Sequence, residues 1–176
     1  SNNKSKGEVI EKGIKIVDKN NVAITVNSLI SDSGGQGDVY KATYKGREYA
    51  LKWYCKHSDD VIGGAQYDTI FKIHGEDKKP SEKFIWPLTI VNEEYPKNGK
   101  KFGYLMELLP KGYFEMDDFL RMDNDSKAVR FNSYNSMLVA GMNLAAAMSK
   151  LHLKGLSYKD LNPKNFAINP ESGDVL

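Results

Sequence analysis

Alternating apolar and polar residues occupy the first third of the chain and predict β-strands. Apolar positions alternate from 14 to 16 and from 22 to 26, on either side of the polar stretch 18–21. That stretch reads Asp-Lys-Asn-Asn, which favours a hairpin with an Asx-rich turn. Further alternating runs at 38–42 and 48–54 flank Lys45-Gly46, where a tight turn is expected. The opening of the chain is therefore predicted to be a β-meander.

The remaining pattern predicts a short helix, more strands and then a long helix. Helical spacing over 66–73 lies between Gly63-Gly64 and Gly75, which keeps that helix short, and strands are expected at 84–91 and 102–107. Apolar residues at spacings of four, three, four and three predict a long, largely buried helix over 137–151. A short strand at 166–168, a turn at 169–173 and a final strand at 174–176 follow. Strands followed by a helix indicate an α+β protein with two lobes.

Composition supports a globular fold and argues against a nucleic-acid partner. Of the 176 residues, 40% are hydrophobic and 27% are charged, with a formal net charge of +2, so we expect a packed core and no nucleic-acid partner. One cysteine, Cys55, excludes an intramolecular disulfide and suits a reducing compartment, so a cytoplasmic location is expected. No apolar stretch reaches the roughly 20 residues of a membrane span, and the first seven residues do not resemble a signal peptide.

A glycine-rich loop is the first candidate for chemistry. Gly34, Gly35, Gln36 and Gly37 join one predicted strand to the next, and neither a Walker A nor a Rossmann motif fits, since no Gly-Lys-Ser/Thr follows and no helix opens there. Glycines let backbone N–H groups approach phosphate oxygens closely. Fifteen positions after Gly37, Lys52 lies in a predicted strand, where its ammonium could neutralise phosphates. The plainer alternative is an ordinary turn and a solvated lysine.

The segment 151–165 resembles the catalytic loop of protein kinases, which normally reads His-Arg-Asp-Leu-Lys-Pro-Glu-Asn and here reads Tyr-Lys-Asp-Leu-Asn-Pro-Lys-Asn from residue 158. In the kinase template Asp160 would accept the proton of the substrate hydroxyl, and Asn165 would hold a magnesium ion on the phosphates. The alternative is that both residues cap turns. The order of glycine loop, Ala-Leu-Lys, hinge-like strand, long helix and Asp-x-x-x-x-Asn favours the kinase interpretation.

The resemblance implies a protein-kinase-like fold, in which a small antiparallel β-sheet lobe is followed by the start of a helical lobe. Its cofactors would be ATP and Mg²⁺, and its partner a protein substrate. Lys52 would contact the α- and β-phosphates, and the glycine loop would cover them. Adenine would lie at a hinge strand with Met106 as gatekeeper and the backbone of Glu107 and Leu109 as hydrogen-bonding groups. The residues implied to line the adenine pocket are Ile30, Val39 and Ala50.

Several positions depart from the kinase pattern. Asp32 replaces the first glycine of the loop, and Gln66 stands where the helix should offer a glutamate to Lys52, with Asp68 and Glu76 as other candidates for that partner. Asn162 replaces the lysine that touches the transferred phosphate in serine/threonine kinases, and Lys164 could substitute for it. The chain also stops before an Asp-Phe-Gly metal site, so we expect a truncated fragment without activity of its own.

Three functions remain open from the sequence. The first is a serine/threonine protein kinase of a bacterial branch, with an N-terminal hairpin extension at 1–26, an N-lobe at 27–106 and a partial C-lobe at 107–176. The second is a pseudokinase that binds nucleotide or protein, and the third is a small-molecule kinase of the aminoglycoside or choline type, which shares the Asp-x-x-x-x-Asn loop. The substrate protein, the regulation and the oligomeric state are not indicated by the sequence.

Overall fold

The computed structural model describes residues 15–31, 37–54, 58–75, 85–94, 101–153 and 166–176. The chain divides into two compact units. The first comprises Ser1–Glu76 with Trp86–Leu108, and the second comprises Asp77–Ile85 with Leu109–Leu176.

Among its described residues, the first unit contains six antiparallel strands and one helix. The strands are β1 (Ile16–Asp18), β2 (Ala23–Ser31), β3 (Asp38–Tyr44), β4 (Arg47–Trp53), β5 (Thr89–Glu93) and β6 (Phe102–Met106). Their order in the sheet is β1-β2-β3-β4-β6-β5, and β1 also pairs with β5, so the sheet closes on itself. An antiparallel sheet was predicted, but its closure was not.

The predicted hairpin at 18–21 is present and contributes the strand that closes the sheet. Val17 pairs with Ala23 of β2 on one side and with Asn92 of β5 on the other. The Asp18 carboxylate accepts hydrogen bonds from the N–H groups of Asn20 and Val22 at 2.8 and 2.9 Å, which is the expected Asx turn. Three residues of β1 therefore satisfy both edges of a sheet that would otherwise expose unpaired backbone groups.

The core of this unit lies inside the closed sheet. Alternate residues of each strand point inward, and β3 and β4 are joined through Lys45 and Gly46, whose φ angles of 49° and 75° are typical of a type I′ turn. The inward side chains form one apolar cluster, which consists of Ile16, Ile24, Tyr40, Ala42, Leu51, Trp53, Val91 and Leu105. Because residues alternate between the inner and the outer face, only the side chains on the outer face of the sheet are available for a functional site there.

The helix α1 (Ala65–Gly75) packs against the outer face of the sheet. It occupies the predicted helical region, between the predicted glycines. Ile70 is buried in a second cluster together with Tyr54, Phe102 and Tyr104. The outer face near β4 and β6 is therefore aromatic and covered by a helix.

The described part of the second unit contains two short strands and two helices, namely β7 (Phe114–Glu115), α2 (Met116–Phe119), α3 (Tyr134–Leu153) and β8 (Ala167–Ile168). Strand β7 pairs with β8, and Ile168 makes an isolated bridge to Val175. Ser133 caps α3, because its hydroxyl accepts a hydrogen bond from the Ser136 N–H at 3.0 Å. The predicted turn at 169–173 is confirmed by the bond from the Gly173 N–H to the Asn169 carbonyl at 2.8 Å.

Two elements differ from the sequence prediction. The strand expected at 84–91 begins only at Thr89, because Pro87 has no N–H to donate to a ladder. The helix expected at 137–151 is longer and less buried than predicted. Its buried side chains are Ser136, Ala140, Ala147 and Leu151, whereas Met142 is 72% exposed. Within the described ranges, no helix is long and apolar enough to cross a membrane.

Candidate functional site

One outer face of β3, β4 and β6 brings together four of the residues expected to bind nucleotide. The strand register pairs Val39 with Lys52 and Ala50 with Met106. Directly opposed residues of antiparallel strands project from the same side of the sheet, so these four side chains share one face. Ala50 is 4% exposed, and the other three are partly buried. The result is a mostly apolar surface with a single ammonium group, from Lys52, among these four side chains.

The environment of Lys52 is aromatic. Its Nζ lies 5.4 Å from the ring centroid of Tyr54, the next residue but one on the same face. A cation within about 6 Å of a ring centroid is attracted by the negative face of the π-system. Tyr54 is 1% exposed and stacks on Phe102 with ring centroids 4.8 Å apart. Lys52 therefore lies beside an aromatic ring that packing holds in place.

The hydroxyl of Tyr54 connects this ring to α1. Gln66, in the first turn of α1, and Tyr104 both donate hydrogen bonds to it. Burial raises the pKa of Tyr54, and the two donated bonds act in the opposite direction. Gln66 was predicted as the helix partner of Lys52, and in the structure both contact Tyr54: the Lys52 ammonium lies over the ring, and Gln66 is hydrogen-bonded to the hydroxyl. Asp68, another candidate, is exposed, and Glu76 lies outside the described residues.

Helix α1 is held on this face by further aromatic contacts. Tyr67 meets Phe102 edge to face, with centroids 5.1 Å apart and an interplanar angle of 90°. Ile70 is buried one turn later, and Met106 packs against the same cluster from β6. The helix and the lysine strand are thus parts of one packed assembly.

Gly37, the last glycine of the predicted phosphate loop, has a packing reason to lack a side chain. A Cβ at this position would overlap the carbonyl oxygen of Trp53 in β4. The close approach of the two strands therefore requires glycine here whether or not phosphate binds. Gly34, Gly35 and Gln36 lie outside the described residues.

The expected hinge residues fall in both units. Glu107 follows β6, and its side chain accepts a hydrogen bond from Arg47 at 2.9 Å, which links it to the start of β4. Leu109 belongs to the second unit and is 36% exposed. Ile30 is about half exposed and lies at an irregularity of the β2–β3 register, between Leu29 and Ser31.

The catalytic loop predicted from the sequence falls in a part of the chain that the structure does not describe. Asp160, Asn162, Lys164 and the expected magnesium ligand Asn165 all lie outside the described residues. Their roles therefore stay predictions from the sequence.

A cavity of about 280 Å³ opens at one end of the closed sheet, where the β1–β2 and β3–β4 turns meet the start of β5. Because Leu105 lines it and alternates with Tyr104 and Met106, this cavity lies on the inner side of the strands and not on the Lys52 face. The cavity is lined by Asp18, Lys19, Asn20, Tyr44, Lys45, Tyr49, His74, Leu88, Thr89 and Leu105.

Sequence reasoning missed Tyr54 and Tyr104. The signal for Tyr54 was present, because alternation places Ala50, Lys52 and Tyr54 on one face of β4. Tyr104 required the register, which sets it opposite Lys52 across β4 and β6. A tyrosine in a strand is common enough that nothing marked either one until the pairing was known.

Comparison with known proteins gives one distant relation. No protein-family model matches the chain. The chain is similar to a probable LIM domain-containing serine/threonine-protein kinase of Dictyostelium discoideum, with 25% identity over 175 residues. The match covers 94% of this chain and 24% of that protein, so the chain spans about a quarter of the length of this relative. The similarity indicates a distant relation to protein kinases.

Proposed function

We propose that this chain is part of an ATP- and Mg²⁺-dependent serine/threonine protein kinase of a bacterial branch, located in the cytoplasm. The observation that carries the proposal is the shared face of Val39, Ala50, Lys52 and Met106 on three adjacent strands, with α1 packed on the same side. Such a face offers an apolar platform for a flat base and a cation for phosphates. The distant sequence similarity to the Dictyostelium kinase, at 25% identity, supports the same assignment.

In this proposal each residue has a separate task. ATP supplies the transferable phosphoryl group. Lys52 neutralises phosphate charge, Ala50 leaves room for the base because its side chain is a single methyl group, and Met106 limits the depth of the base pocket. Asp160 accepts the proton of the protein hydroxyl, and Asn165 provides an oxygen ligand of the kind Mg²⁺ prefers.

The test is phosphoryl transfer by the full-length protein with Lys52→Ala. We expect a loss of at least about 100-fold in transfer of labelled γ-phosphate to casein, since electrostatic stabilisation of the transferring group is the main catalytic term in this chemistry. Lys72→Ala is the matched control, because it removes an exposed lysine from the last turn of α1 in the same unit. Thermal melting checks that both variants are folded. Transfer that persists in Lys52→Ala would refute the proposed role.

A pseudokinase is the second candidate, and one observation favours it. Gln66, at the helix position where kinases carry a glutamate, is neutral and hydrogen-bonded to Tyr54. Calorimetry of wild-type protein with MgATP separates the candidates when it is combined with the transfer assay. Binding with transfer supports the kinase, and binding without transfer to any protein substrate supports the pseudokinase.

A further inference from the structure

Tyr54 occupies a central position between the lysine strand and α1. Its ring lies under the Lys52 ammonium, and its other ring neighbours are Phe102 at 4.8 Å and Tyr104 at 6.2 Å between centroids. Its hydroxyl is held by hydrogen bonds from Gln66 and Tyr104. A side chain that is 1% exposed, with a packed ring and a hydrogen-bonded hydroxyl, has little freedom to rotate.

We infer that Tyr54 is the positioning residue of Lys52 and couples that lysine to α1 through its ring and its hydroxyl. This inference rests on the proposed function, in which Lys52 serves the phosphates of ATP. The ring restrains the ammonium, and the bond from Gln66 restrains the ring. A lysine and an uncharged helix residue are thereby linked without an ion pair between them.

Because Tyr54 links Lys52 to Gln66, nucleotide binding should depend on the position of α1. Gln66 belongs to the first turn of α1, so a shift of that end of the helix strains or breaks its bond to Tyr54. The ring then loses one of its restraints, so the Lys52 ammonium is less well ordered and more entropy is lost when phosphate binds.

The first experiment compares two substitutions of Tyr54 in the full-length protein. Tyr54→Leu removes both the ring and the hydroxyl, and we expect the Kd for MgATP, measured by calorimetry, to rise about 3- to 10-fold, with a fall in kcat. Tyr54→Phe keeps the ring and loses only the hydroxyl bond, so its Kd should rise about 2- to 3-fold, less than in Tyr54→Leu. Val91→Ala is the structural control, because it removes buried volume from the inner core, away from this face. It should lower the unfolding midpoint without changing the Kd for MgATP.

A second experiment tests the hydroxyl link and does not depend on Tyr54→Leu folding. Gln66→Leu should raise the Kd for MgATP about 2- to 3-fold in the wild-type background and leave it unchanged in the Tyr54→Phe background, since the bond is already absent there. Equal effects in both backgrounds would overturn the coupling. An unchanged Kd in Tyr54→Leu, or an equal rise in Val91→Ala, would overturn the positioning role. A wild-type protein that does not bind MgATP would instead refute the proposed function, and the inference would fail with it.

Discussion

Replacement of Asp18 by Ala should destabilise the first unit by about 2–4 kcal/mol. The carboxylate is 3% exposed and accepts three hydrogen bonds, from the Tyr44 hydroxyl at 2.6 Å and from the N–H groups of Asn20 and Val22 at 2.8 and 2.9 Å. It ends the strand that pairs with both neighbours and so closes the sheet. Loss of the carboxylate removes the anchor of this closure.

The magnitude follows from the three bonds. A hydrogen bond to a charged group contributes roughly 1.5–3 kcal/mol net. The two backbone donors belong to a turn at the surface, where water can replace the carboxylate, so together they add at most about 1 kcal/mol and the total is about 2–4 kcal/mol. Asp18→Asn should cost less, about 1–2 kcal/mol, because its remaining oxygen can still accept from the turn but its NH₂ cannot accept from Tyr44.

Urea unfolding of wild type, Asp18→Ala, Tyr44→Phe and the double variant measures these terms. The cycle should give a coupling energy of about 1–2 kcal/mol between the two side chains, because they share one hydrogen bond. A coupling near zero, or a cost below about 0.5 kcal/mol for Asp18→Ala, would refute the claim that this carboxylate holds the closure.

The hydrogen bond between Asp18 and Tyr44 also predicts that the stability of the fold depends on pH, both in acid and in alkaline solution. Burial alone raises the pKa of Asp18, but the bonds from Tyr44, Val22 and Asn20 and the charge of Lys45 outweigh it, so the pKa is lowered. Asp18 therefore stabilises the fold above its unfolded pKa of about 3.9, and this contribution is lost as the pH falls through the lower folded pKa. Tyr44 has a raised pKa because it donates to Asp18, and its contribution is lost as the pH rises above about 10. Unfolding of Asp18→Asn should depend less on pH below about 4.

Two further substitutions test local packing and capping. Gly37→Ala should cost about 1–3 kcal/mol in urea unfolding, because its Cβ overlaps the Trp53 carbonyl oxygen and the two strands must separate; a cost near zero would contradict this account. Ser133→Ala should cost about 1 kcal/mol of stability and lower the helical circular dichroism of the second unit, since the Ser136 N–H loses its capping oxygen; unchanged melting would show that water replaces the cap.

Local patterns were enough to predict most of the elements. The polar stretch at 18–21, the pair Lys45-Gly46 and the glycines around 63–75 mark turns and helix ends through their own backbone and side-chain preferences. Alternation predicted that Ala50 and Lys52 share a face, since the period of two holds in any regular strand. These features depend on residues close together in the sequence, so no knowledge of the fold was needed.

The pairing of distant elements was decided only by the tertiary structure. Nothing local shows that β1 will join β5 and close the sheet, because edge pairing depends on the accumulated twist of all six strands. Met137, the first residue of the apolar pattern predicted for α3, is 42% exposed, and this exposure likewise depends on which elements pack against α3. Lys52 and Gln66 both contact Tyr54 because strand register and the placement of α1 bring these three residues together. Neither the register nor the helix placement follows from the hydrophobic period of a single segment.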